Sequence, residues 1–319
     1  MSAFEPFEAF GDVDDLADRL RDADATVRRL AAMELGETAS PAAIPLLAAA
    51  ITDADPGVRV AAARALSDFD GPEVAAALGR GVQDADPGVA SAAADSLAEL
   101  KDPAAAEPLL PLVSHPDGFV RAAALRGLKA LRSPAALGPA AAALRDPLAE
   151  VRVQAVGVVG YLKDDGALPS LIGAARDPAS EVRAAAVNAL AFARHPAATD
   201  AIAVALDDGD WQVRAAAAET LGRIGLATSG PALAATLGDD YWQVRQKALQ
   251  SLGKLRAEGV VAPVVRMLED ALPTLRKEAA AALGEIADPA AREALEACVD
   301  DPDPDVRKTV RWALARLPG

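Results

Sequence analysis

Cysteine and histidine are nearly absent from this chain: Cys298, His115 and His195 are the only such residues among 319. A lone thiol excludes an internal disulfide framework and a thiolate metal cluster, and is the usage expected in a reducing compartment. Both histidines precede proline, so neither starts the His-Glu pairs an iron-dependent hydroxylase would need. Basic residues are also short, 32 against 47 acidic, and the net charge of −15 disfavours nucleic acid and anionic lipid as partners. No apolar run approaches the roughly 18 residues of a membrane span, and Met1 to Gly11 lacks the basic and apolar regions of a signal peptide. Gly-x-Ser-x-Gly, phosphate-loop and His-Glu-x-x-His motifs are missing too. The expectation is a cytoplasmic protein, with no metal or cofactor and without catalytic residues.

What is present is periodic. A Val-Arg pair or close variant recurs every 31 residues, at Val27, Val58, Val89, Val120, Val151, Val182, Val213, Val244, Leu275 and Val306. Five residues before this anchor stands an aspartate in every repeat but one, where His115 replaces it; eight residues after it stands leucine or valine. Within a unit, Ile44, Leu47, Ala48 and Ile51 make one apolar helical stripe, and Val58, Ala62, Ala65 and Leu66 make a second. Between them Asp53 to Gly57 break the chain, and prolines at 41, 72, 103, 134, 196 and 289 mark the pauses between units. The reading is an all-α, alpha-alpha superhelix of ten 31-residue helix pairs, starting at 10, 41, 72, 103, 134, 165, 196, 227, 258 and 289. Residues 10–319 are expected to form a single solenoid. Residues 1–9 would be a cap in which Phe4 and Phe7, with Phe10, fold over the first repeat.

The string Asp-x4-Val-Arg-x2-Ala-x3-Leu-Gly, legible at Asp208 to Gly222 and Asp239 to Gly253, resembles the HEAT-like repeats first named for phycobilisome bilin lyases. The resemblance covers residues 10 to 319. It implies a helical solenoid, and it implies roles ranging from interaction scaffolds and assembly factors to chromophore lyase or isomerase subunits that would hold a tetrapyrrole in the groove.

Departures from the template carry the functional signal. Repeat 3 has Ala90 in place of the arginine, and repeat 4 has His115 in place of the aspartate. If each arginine pairs with the aspartate of the next repeat, as Arg28 would with Asp53, these two losses remove both members of one rung and avoid a buried unpaired charge. They also predict the weakest junction between repeats 3 and 4.

Aromatics, only eleven in all, are the other departure. Phe119, Tyr161, Phe192, Trp211 and Trp242 occupy positions expected to face outward from the second helix in consecutive repeats, along a concave face, and Trp312 extends the line. Trp211 and Trp242, each before Gln-Val-Arg, are expected side by side. Gln212, Gln243, Gln246, Lys247, Gln250, Arg223 and Lys254 would edge them with amides and cations. Exposed rings with a polar rim suit a protein partner. Residues 227–319 carry 12 basic and 14 acidic side chains against 20 and 33 before them, so an acidic segment would be steered to the C-terminal repeats. Caps at both ends would keep the protein monomeric. Cys298, aligned with Met267 in the preceding repeat, reads as core.

Overall fold

Two aspartates shape the turn inside several of the helix pairs. Asp55 caps the second helix by accepting from the Val58 N–H, while Asp53 accepts from the Asp55 N–H. Asp84 with Asp86, and Asp301 with Asp303, repeat the device. Each side chain satisfies a backbone donor that the start of a helix leaves without an intrahelical partner. Prolines at the first helical turn, Pro56, Pro87, Pro273 and Pro304, complete these starts where a missing N–H costs nothing.

The computed structural model describes residues 13–193 and 195–318; Phe4, Phe7 and Phe10 and their expected capping role lie outside them. The described residues are helices and turns throughout, with no strand and no helix long and apolar enough to cross a membrane. The chain divides into two compact units, Met1–Leu162 and Lys163–Gly319.

In the first unit, α1 (Val13–Arg19) pairs with α2 (Ala25–Glu37), α3 (Ala43–Ala50) with α4 (Pro56–Ala65), and α5 (Pro72–Gly81) with α6 (Pro87–Leu97). A 3-10 segment, Pro103–Ser114, precedes α7 (Gly118–Leu131), and α8 (Leu137–Ala143) precedes α9 (Ala149–Leu162). The segment is not the α-helix the periodicity predicts, because Pro108 and Pro111 inside it withhold two donors and crowd the preceding turn. In the second unit the pairs are α10 (Leu168–Ala174) and α11 (Ser180–Leu190), α12 (Pro196–Val204) and α13 (Trp211–Ile224), and α14 (Gly230–Ala235) and α15 (Trp242–Leu255). They continue with α16 (Val261–Arg266) and α17 (Pro273–Ile286), then α18 (Arg292–Glu296) and α19 (Pro304–Arg316).

The periodic residues are the core. Every anchor from Val58 to Val306 is buried, as is each aliphatic residue eight positions on from Leu35 to Leu283. The alanines four after the anchor, among them Ala62, Ala93, Ala217 and Ala248, are without exposure, and consecutive second helices meet through small residues further along, as Gly36 with Ala65 and Gly253 with Ala282. Such small side chains let helices approach to the near end of the usual 8–10 Å spacing. Gly222 takes this furthest: a Cβ there would collide with Ser251 Oγ and come within 2.9 Å of Ser251 Cα.

Arginine and aspartate form the expected ladder. Two-pronged rungs at 2.6–3.0 Å include Arg28 to Asp53, Arg59 to Asp84 and Arg121 to Asp146 in the first unit, and Arg183 to Asp208, Arg214 to Asp239 and Arg276 to Asp301 in the second. Arg245 reaches Asp270 through one N–H at 3.3 Å. The remaining terminal nitrogen of each guanidinium donates to the two carbonyls of its own turn, as Arg59 does to Asp53 and Ala54. The arginine bonds hold the carboxyls of Asp53, Asp84, Asp146, Asp208 and Asp301 below the ordinary carboxylate range. Where Ala90 and His115 replace the pair, α6 and α7 pack less closely than α2 with α4, α4 with α6 or α7 with α9.

Candidate functional site

Trp211 and Trp242 begin α13 and α15, next to the turns that the ladder braces. Trp211 is half-buried and stacks on a neighbouring ring with centroids 5.6 Å apart and planes within 10°. That ring is Tyr241, not the expected Trp242. Tyr241 is the extended residue that precedes α15 and Trp242 is its first helical residue, so the two rings of repeat 8 leave backbones of different conformation. Tyr241 is also covered by the Arg214 guanidinium, 5.6 Å from its centroid, and Trp242 stands 41% exposed beside it. The sequence signal for Tyr241 was available: it occupies the position at which Asp55, Asp86, Asp117 and Asp210 cap their helices.

The polar rim is distributed differently from expectation. Gln212 is exposed next to Trp211, and Gln243 is half-buried with its Oε1 unpaired. Gln246 and Gln250 both donate to Glu278 Oε1, at 3.1 and 2.9 Å, tying α15 to α17. Lys247 pairs with Glu219 at 2.9 Å, tying α15 to α13 and lowering the Glu219 carboxyl through that bond. These three bind neighbouring repeats together. Arg223 donates to Asn188 and Thr220, and Lys254 is exposed, but both lie twelve residues beyond the tryptophans. At 1.5 Å per residue that is about 18 Å along the helix. They therefore do not edge the rings.

The other aromatics separate in the same way. Phe192 sits at the far end of its helix with the Lys163 ammonium 4.7 Å from its centroid. Tyr161, in the first unit, accepts from Arg132 at 2.9 Å while that guanidinium lies 4.9 Å from the ring centroid. A cation of the preceding repeat thus already lies over each of these two rings. Phe119 lies at the start of α7, 43% exposed, on a cavity of about 280 Å³. Trp312 is 40% exposed with Arg316 over it at 5.0 Å.

Charge near the tryptophans is acidic. A cavity of about 560 Å³ between the turns of repeats 7 and 8 is lined by Asp207, Asp208, Asp239 and Asp240 with Arg214 among them. Among the described residues no group of three metal-ligating side chains assembles. Both histidines serve turns: His115 Nδ1 accepts from the Asp117 N–H and His195 Nδ1 from the Ala197 N–H, each at 3.1 Å. Burial pushes the Cys298 thiol up, away from the nucleophilic thiolate.

Repeated helix pairs with this ladder define an α-solenoid class, and the chain belongs to the HEAT-repeat family, which matches residues 13–86, 78–147, 138–203, 175–251 and 230–315. No curated protein matches the sequence. Among solved structures, an engineered protein is similar over 96% of this chain and 98% of its own, at 22% identity and a TM-score of 0.53. Importin beta is similar at 18% identity and a TM-score of 0.64, over 96% of this chain and 50% of its own. A chain from a structure of Kap95p binding to RanGDP is similar at 15% identity and 0.63, over 95% and 50%. The protein thus spans about half the length of these two matches, and the likenesses show the fold.

Proposed function

We propose that this protein is a non-catalytic, monomeric scaffold or assembly factor that captures a protein partner on the faces and turns of its second helices, with Trp211, Tyr241 and Trp242 as the anchor. The observation that carries this reading is the Trp211–Tyr241 stack beside the exposed indole of Trp242. Rigid aromatic platforms open to solvent have the composition of binding hot spots. Support also comes from Kap95p, a chain of similar fold whose structure describes binding to RanGDP. Exposed Asp207 and Asp240, on the turns that lead into Trp211 and Trp242, suit a partner with basic residues flanking an apolar anchor. Exposed Lys277, Lys308 and Arg311 favour an acidic segment at the C-terminal repeats.

The test is capture of a partner followed by affinity measurement with the double variant Trp211→Ala, Trp242→Ala. Affinity falls by about 2 kcal/mol or more, roughly 30-fold, with circular dichroism unchanged. Equal affinity in variant and parent removes the ring cluster from the reading. Titration with a free bilin checks the chromophore-subunit alternative: a perturbed absorption spectrum that the double variant abolishes would replace the protein partner with a tetrapyrrole.

A further inference from the structure

The interruption of the ladder leaves more than a missing ion pair. In the rungs described above the arginine's guanidinium makes two sets of bonds, one to the next repeat's carboxylate and one to the pair of carbonyls in its own turn. Arg28, Arg59, Arg121, Arg183 and Arg214 all show the second set. In repeat 3 the equivalent carbonyls are those of Asp84 and Ala85. With Ala90 in the arginine's place, no described side chain donates to either. His115 takes over the turn bond of the lost aspartate through Nδ1, so the turn is kept while the rung is not.

At this junction lies the cavity of about 280 Å³, lined by Asp84, Ala85, Ala90, His115, Asp117 and Phe119. Its size is just under the range of about 300–1,000 Å³ that holds drug-sized ligands, and suits a single side chain. The lining combines two carbonyl acceptors, the exposed carboxylate-bearing Asp117 and a half-exposed aromatic ring. A planar cation with several forked donors matches that set, because it can hydrogen-bond in its plane and stack on a ring face. The fold holds such a group in this way elsewhere: Arg214 caps the carbonyls of Asp208 and Gly209, pairs with a carboxylate and lies over Tyr241.

We propose that the cavity at the broken rung is a receptor site for a guanidinium group, the arginine side chain of a protein partner entering where the chain's own arginine is missing. The site is built from residues 84 to 119 and does not depend on the tryptophan cluster.

The experiment compares three probes by chemical-shift titration of the full chain: acetyl-Gly-Arg-Gly-amide, acetyl-Gly-Lys-Gly-amide and agmatine. The blocked arginine peptide binds saturably and at least about tenfold more tightly than the lysine peptide, since a point-charge ammonium cannot satisfy the forked acceptors. The variant Ala90→Arg, His115→Asp restores the rung from within and abolishes binding of the arginine peptide. That variant follows the pattern of the other repeats, and its circular dichroism checks its fold; Ala90→Leu gives a second way to fill the space. Binding of agmatine but not of the peptide overturns the partner-arginine assignment in favour of a small guanidinium compound. Equal binding of lysine and arginine peptides, or arginine binding undiminished in both variants, overturns the site altogether. Retained arginine binding in Trp211→Ala, Trp242→Ala separates this outcome from that of the ring cluster.

Discussion

Single residues act here through close approach and through which groups they leave open. Gly222 is the sharpest case, because alanine at that position has two opposed effects. It raises helix propensity by about 1 kcal/mol. It also drives a Cβ into Ser251, whose hydroxyl donates to the Ala218 carbonyl at 2.8 Å in a buried site. Overpacking of this kind costs about 1–3 kcal/mol, so Gly222→Ala is expected to lower stability by about 1 kcal/mol in chemical denaturation. Gly173→Ala, on α10 with nothing within 4 Å of the new Cβ, is expected to raise it by about 0.5 kcal/mol. The contrast isolates the contact from the propensity. Residue identity in the sequence marked the glycine of the Leu-Gly pair as part of the motif, but the depth of its contact with the next helix depends on interhelical distance, which no local pattern encodes.

At the scale of the element, the second helices share an ending as well as a beginning. The residue twelve after the anchor enters the left-handed region at Ala39, Arg132, Lys163, Arg256 and Ala287, and in repeat 7 the same place is taken by Gly225. Glycine adopts that conformation without the steric conflict a Cβ introduces. Ala287→Gly is therefore expected to raise stability by up to about 1 kcal/mol, read as an upward shift in Tm. At Arg132 and Lys163 the non-glycine residue has a use, since these side chains lie over Tyr161 and Phe192. The helix pairs themselves were legible from apolar spacing and turn residues. The 3-10 character of Pro103–Ser114 was not, because a stripe of apolar residues is compatible with either winding until the internal prolines are weighed.

Across the whole molecule the ladder links stability to pH. Asp53, Asp84, Asp146, Asp208 and Asp301 have folded-state carboxyls held below their unfolded value by arginine bonds. A depressed folded value contributes stability that is complete above the unfolded value of about 3.9 and is lost as pH falls through the folded one. Stability measured by denaturant titration is expected to hold down to about pH 4 and to drop steeply below it. Acidification also reduces the net charge of −15 and its self-repulsion. That effect runs the other way at first, so a fall below pH 4 reports the ladder; a flat profile from pH 5 to 2 would contradict its contribution. By itself, the amino-acid order determined the 31-residue period, the paired helices, the arginine–aspartate rungs and the place where one is missing. These rest on caps, turns and apolar stripes acting within one repeat or between equivalent positions of neighbours. Tertiary structure alone decided that Trp211 stacks on Tyr241, that Gln246, Lys247 and Gln250 are spent on neighbouring helices, and that a cavity lies at the lost rung. Such contacts depend on the rotation of each helix about its axis and on side-chain rotamers chosen by the neighbouring repeat.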